Sequence, residues 1–322
     1  MGLRTVYTDH SLFGFADAAS ILGNKLLKFT LSDVGHVICV SHTCKENTVL
    51  RAALNPTAVS VIPNAVVSKD FTPEPAKASK NYITIVIISR LYPNKGADLL
   101  TAIIPRICAI HPTVRFMIAG SGPKEVDLEQ MREKYRLQER VELIGSIRHE
   151  DVRDVMVTGH IYLHASLTEA FGTVLVEAAS CGLLVVTTNV GGIPEVLPNH
   201  MTVFASPEED SLVESTIQAI HLIEQKKVDT STFHDQVKNM YDWVDVARRT
   251  EEVYNKIDTA TLNEPLLDRL SRYYRCGPLA GKLFVMCIIA DVILYYLMEW
   301  LWPRSRIDLA KKWPQKKLIK NS

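Results

Sequence analysis

Two rhythms divide the chain. Between Tyr82 and about residue 205, unbroken runs of β-branched and aliphatic residues alternate with stretches whose apolar positions return every three or four residues. YITIVIISR, TVRFMIAG, RVELIG, IYLHAS, LLVVTTN and MTVFAS read as strands, and because their apolar runs are continuous they are expected to be buried on both faces. GADLLTAIIPRICAIHP, KEVDLEQMREKYRL, EDVRDVMVTG and TVLVEAASCG read as the helices between them. Longer helices are predicted from Glu208 to about Lys227 and from about Ser231 to Ile257. Strict alternation of this kind builds a parallel, doubly wound α/β sheet with right-handed crossovers, and such sheets take ligands at the carboxyl ends of their strands.

The first 72 residues carry a thinner version of the pattern. RTVYTDHS, HVICVSHT and VSVIPNAV are candidate strands, with one helix, KENTVLRAAL, between the last two. Three strands make a small sheet, which reads as the back half of a Rossmann-type domain. The organisation expected is a remnant of a first domain over 1–72, a linker over 73–81, a second Rossmann-like domain over 82–257 and a polar connector over 258–282.

A different pattern closes the sequence. Leu283 to Trp302 is twenty residues of nearly continuous apolar character, long enough at about 1.5 Å per residue to cross a hydrocarbon layer about 30 Å thick. A transmembrane helix is therefore expected over 283–302, with Trp300, Trp302 and Pro303 at an interface and with Asp291 and Glu299 as its two acidic residues. Residues 303–322 form a basic tail of seven Lys/Arg against one Asp. Lys plus Arg and Asp plus Glu are 36 each over the whole chain, so the body before the tail is net acidic and carries no field suited to nucleic acid. The six cysteines are scattered without a CxxC pair, which favours a reducing compartment.

The densest chemistry lies in SLTEAFGTVLVEAASCG, from Ser166 to Gly182, at a strand-to-helix junction. Glu169 falls in the loop and Glu177 on the helix, while Gly172 lets a ligand approach the backbone where helix N–H groups can face a phosphate. Arg90 ends the first strand of the large sheet and Lys95 precedes its helix, so two cations are expected at the same sheet edge as the two carboxylates. There is no Asp-x-Asp in the chain to hold a metal at a diphosphate, no HExxH to bring His160 and His164 to zinc, and no GxSxG, P-loop or GxGxxG. Cys181 reads as a small buried side chain.

SRLYPNKG at Ser89, GSGP at Gly120 and the Glu169/Glu177 spacing resemble the family 4 retaining glycosyltransferases, which have the GT-B fold of two Rossmann-like domains. TDHSLFGFAD at Thr8, ICVSHTCKENTVLRAALNP at Ile38, VSVIPNAV at Val59 and VGGIPEVLP at Val190 narrow the resemblance to the branch that transfers N-acetylglucosamine from UDP-GlcNAc to phosphatidylinositol, the opening step of GPI-anchor synthesis. That resemblance implies a GT-B chain with one C-terminal span in the endoplasmic reticulum membrane, its main body facing the cytosol, working with other membrane subunits and without a metal or other cofactor. It implies that Arg90 and Lys95 bind the diphosphate, Glu177 the ribose and Glu169 the transferred sugar, with His10 reaching the sugar from the first domain. The branch's Gly-Gly loop has no counterpart before Thr8, so an incomplete acceptor side and an inactive chain are expected. A catalytically dead, membrane-anchored subunit that binds the UDP-sugar, or a regulatory isoform, is the competing reading, since donor binding needs the same four residues Arg90, Lys95, Glu169 and Glu177.

Overall fold

A computed structural model describes residues 5–14, 17–258 and 265–306; part of the connector and most of the basic tail lie outside the described residues. The chain divides into two units, residues 1–262 and 263–322.

The first unit holds two sheets in which every pairing is parallel. The smaller contains β1 (Val6–Asp9), β2 (His36–Cys39) and β3 (Val59–Val61) in that order. α1 (Ala18–Leu31) joins the first two strands and α2 (His42–Ala52) the last two. The sequence pattern does not announce α1, because its apolar residues are spread around the helix: Leu27 and Leu31 are buried, whereas Ile21, Leu22 and Leu26 are exposed. Its start is nonetheless built conventionally, with the Asp17 carboxylate accepting from Ser20 N at 2.8 Å. α2 begins three residues before the expected Lys45, since Ser41 Oγ accepts from Cys44 N at 3.0 Å and caps the helix there.

The larger sheet contains all six expected strands: β4 (Ile83–Ile88), β5 (Val114–Ala119), β6 (Val141–Gly145), β7 (Ile161–His164), β8 (Leu184–Thr188) and β9 (Thr202–Ala205). Their order is β6-β5-β4-β7-β8-β9, so the winding reverses between β4 and β7. That reversal opens a crevice at the carboxyl ends of these two strands. Alternate side chains serve two cores. Ile83, Ile85 and Ile87 pack with Leu100, Ile103 and Ile107 of α3 (Ala97–Ile110), with Leu128 of α4 (Glu125–Lys134) and with Ile220 of α7 (Glu209–Glu224). On the opposite face Val86, Tyr162 and Val185 pack with Met156 of α5 (Val152–Met156), Val176 of α6 (Thr173–Ser180) and Phe233 of α8 (Phe233–Met240), and this cluster continues into Leu31, Val37 and Cys39 beside the small sheet.

The single helix expected from Ser231 to Ile257 is two. The chain breaks at Tyr241, whose hydroxyl donates to Val196 O, whose backbone oxygen accepts from Val66 N at 3.3 Å and whose ring meets Phe171 edge-on at 5.6 Å. The break redirects α9 (Trp243–Asp258): Val253 and Ile257 pack against Ile38 and Ile62, and Arg249 donates to Val61 O at 2.6 Å. The last helix of the first unit thus completes the small sheet's core.

The second unit contains α10 (Leu266–Tyr274) and α11 (Ala280–Leu301), which contact each other. α11 is 22 residues long and apolar enough to cross a membrane, with Leu283, Met286, Ile293 and Leu297 exposed. It starts three residues before the expected Leu283.

Candidate functional site

β4 delivers Arg90 to the loop at its carboxyl end, where the exposed guanidinium lies 5.8 Å from the centre of the Tyr92 ring. The following short turn, Pro93–Lys95, carries Lys95 into the crevice between β4 and β7. β7 ends at His164, and the loop after it carries Glu169 to the same place. Lys95 Nζ and Glu169 Oε1 form an ion pair in which both side chains are less than one-fifth exposed. The sequence placed these charges at one edge; the fold sets them in contact.

His164 completes a cluster that sequence reasoning passed over, because IYLH was read simply as a strand. It is buried at the strand's last position, with Nε2 3.5 Å from Glu169 Oε1 and Nδ1 3.1 Å from Thr187 Oγ1. A histidine at a strand's carboxyl end, five residues before a loop glutamate, is the signal that could have found it. Burial raises the Glu169 pKa, but hydrogen bonds from His164 and Lys95 outweigh it and hold the carboxyl at about 2. Glu169 is therefore an ionised hydrogen-bond acceptor at neutral pH.

Glu177 is differently placed. It sits on the second turn of α6 and is partly buried, and among the described residues its carboxylate forms no ion pair. Burial raises its pKa, with a smaller opposing pull from His149. Tyr162 is fully buried, its hydroxyl donating to Ile88 O at 2.8 Å. Burial raises the pKa of Tyr162 most, and Glu177 and Glu169 raise it further, so both carboxylates act on one ring. Gly172 precedes α6 with φ +83°. His10, directly after β1, is exposed and makes no hydrogen bond with the crevice residues among those described.

The loop bearing Glu169 is held by both sheets. Ser41 Oγ of the small sheet donates to Ala170 O at 2.7 Å, and Gly192 N donates to Glu169 O at 2.9 Å. Only glycine fits at 192, where a Cβ would come within 2.1 Å of Ala170 O. Glu195, in the same VGGIPEVLP segment, accepts from the backbone N–H groups of His42 and Thr43 at 2.6 and 2.8 Å. This segment carried the family resemblance without an assigned role; the structure gives it the contact between the sheets.

Two of the six cysteines, separate in the sequence, meet in the fold. Cys39 and Cys44 come together with Asp9, all three buried, with potential ligand atoms within 4.8 Å of one another. Asp9 is already engaged by the Thr48 hydroxyl at 2.6 Å and Ser11 N at 3.0 Å, and Cys44 Sγ by Ser11 O at 3.5 Å, which makes the cluster a packed hydrogen-bonded corner.

Residues 68–231 match the Glycosyl transferases group 1 family, and residues 1–69 match Glycosyltransferase Family 4. The chain is 66% identical over 310 residues to the phosphatidylinositol N-acetylglucosaminyltransferase gpi3 subunit of Schizosaccharomyces pombe, covering 96% of this chain and 68% of that one. It belongs to the phosphatidylinositol N-acetylglucosaminyltransferase GPI3 family. The human member of this family is 50% identical, over 96% of this chain and 64% of its own length. Among solved structures, Anabaena HepE in complex with UDP and glucose aligns with a TM-score of 0.68 at 21% identity, covering 78% of this chain and 71% of that one. This likeness shows that the GPI3 family chain has the GT-B fold.

Proposed function

We propose that the chain transfers N-acetylglucosamine from UDP-GlcNAc to phosphatidylinositol with retention at the anomeric carbon, as the GlcNAc-transferase component of a membrane complex in the endoplasmic reticulum. The observation that carries this reading is 66% identity across 96% of the chain to the fission-yeast gpi3 protein. The crevice supports it chemically. Arg90 and Lys95 grip the diphosphate, the helix start at Gly172 faces it, Glu177 takes the ribose hydroxyls and Glu169 the sugar hydroxyls, with His10 approaching the sugar from the small sheet. No metal is needed for this division of roles, since the cations and helix N–H groups offset the diphosphate charge.

Lys95 is already neutralised by Glu169, so an arriving diphosphate shares a cation with the carboxylate that reads the sugar. The acceptor hydroxyl's proton is assigned to the departing phosphate oxygen on the same face of the sugar, and stabilising that phosphate is the main catalytic contribution. α11 anchors the chain, with the large unit on the cytosolic side where the donor is made.

The test is transfer in microsomes from cells that lack their own copy of the enzyme and express this chain. The missing Gly-Gly loop argues for an inactive chain; the identity to the fission-yeast protein argues for an active one, and on that reading labelled UDP-GlcNAc should yield a labelled lipid that phosphatidylinositol-specific phospholipase C cleaves. Transfer from a different nucleotide sugar, or to an acceptor that resists the phospholipase, would overturn the assignment.

A further inference from the structure

Helix α10 carries a one-sided apolar stripe. Leu266, Leu267, Leu270, Tyr273 and Tyr274 fall at i, i+1, i+4, i+7 and i+8, which places them on one stripe, while Asp268, Arg269, Ser271 and Arg272 occupy the other side and Arg275 continues it. Part of that stripe is uncovered: Leu267 is 78% exposed, Tyr274 58% and Leu266 44%. Leu279, in the turn that follows, is 79% exposed.

The attachment to α11 limits where this stripe can go. Five residues separate the two helices, and the turn folds so closely that a Cβ on Gly281 would come within 2.1 Å of Tyr274 O. The end of α10 therefore rests on the first turn of α11. If α11 crosses a bilayer, its first turn lies at the boundary between hydrocarbon and headgroups, and a helix fastened to that turn stays within the same layer. There an apolar stripe with arginines on the remaining face is the pattern of an in-plane helix, with apolar side chains in the acyl boundary and guanidinium groups among lipid phosphates.

We infer that α10 lies in the headgroup layer of an anionic bilayer, with Leu266, Leu267 and Tyr274 toward the acyl chains and Arg269, Arg272 and Arg275 toward the phosphodiesters. The inference rests on the reading of α11 as a span. Through α10 the connector holds an anionic surface, the class to which phosphatidylinositol belongs, at the foot of the anchor.

The full chain is reconstituted in phosphatidylcholine vesicles, alone or mixed with phosphatidylserine or phosphatidylinositol. Leu267→Cys, Asp268→Cys and Ile293→Cys variants carry an environment-sensitive fluorophore in a Cys287→Ser background, since Cys287 is the exposed cysteine among those described. Lipids spin-labelled just below the headgroup should quench the probe at 267 more than at 268, which points away from the stripe, and lipids labelled deep in the acyl chain should quench it at 293. A probe at 267 as open to water as at 268, or quenched deep in the bilayer, with 293 still quenched deep, overturns the in-plane helix and leaves the span intact. Loss of quenching at 293 removes the span itself, and the inference with it. Either anionic lipid should increase shallow quenching at 267, and the increase should vanish when Arg269, Arg272 and Arg275 are all changed to Gln. An effect of phosphatidylinositol alone, or none from lipid charge, refutes the surface interaction.

Discussion

Glu195 accepts from Thr43 twice, from the backbone N–H at 2.8 Å and from the hydroxyl at 2.7 Å, and so caps a helix that belongs to the opposite sheet. Free N–H groups at a helix start are among the strongest anchors a carboxylate can find. Burial raises the Glu195 pKa, but these bonds and that of His42 hold the carboxyl below its ordinary range. Glu195→Ala should lower stability by about 1 kcal/mol, read as a shift in urea midpoint. With a folded pKa below the unfolded one, the contribution is present above the ordinary carboxylate range and fades as pH falls through the depressed value. An equal deficit at neutral and strongly acid pH would contradict the assignment.

The two crevice glutamates should separate by assay. Glu169→Gln removes the charge proposed to meet the sugar and should reduce transfer by at least about 10²-fold, with UDP affinity nearly unchanged. Glu177→Ala should chiefly weaken UDP binding. Titration calorimetry with UDP beside a transfer assay checks both, and an equal loss of UDP affinity in the two variants would show the roles wrongly divided.

Glu177 also predicts a pH dependence of opposite sign. Its pKa is raised by burial, so ionising it costs stability as pH rises through that raised value. Glu177→Gln should melt a few degrees above the parent at pH 7, since about 1 kcal/mol is worth roughly 2–4 °C in a body of this size. The advantage should disappear below the ordinary carboxyl range. A variant that melts lower at pH 7 would mean that the carboxylate has a stabilising partner.

On the proposed roles of Arg90, Lys95 and the start of α6, UDP should bind in excess EDTA. Loss of binding on chelation would refute this, as would undiminished binding by the Arg90→Ala, Lys95→Ala double variant. Calorimetry reads both.

Orientation is tested by an epitope tag at the C-terminus. In sealed microsomes the tag should resist added protease while the large unit is digested. Digestion of the tag would place the basic tail in the cytosol, as the excess of Lys/Arg after the span argues from charge alone.

The large sheet was legible because its strands are continuous apolar runs punctuated by glycine and proline, and period alone locates them. α1 was not, because a helix with Leu22 and Leu26 outside and Leu27 and Leu31 inside has no clean stripe. The break at Tyr241 was hidden for another reason: neither proline nor glycine marks it, and tertiary contacts with Val196, Val66 and Phe171 impose it. The motifs singled out Arg90, Lys95, Glu169, Gly172 and Glu177. They did not show that Lys95 and Glu169 meet, nor that His164 stands behind them, since those relations depend on β4 and β7 being neighbours across the reversal of strand order.

The loop from Glu169 to Gly172 is moored on one side by Ser41 and on the other by Gly192, while Glu195 ties the Gly192 segment back to α2. A hinge motion that drew the small sheet away would have to release Ser41 from Ala170 and Glu195 from α2, loosening the segment whose shape aims the Glu169 carboxylate. Separation of the sheets and loss of the Glu169 carboxylate's aim are therefore thermodynamically linked.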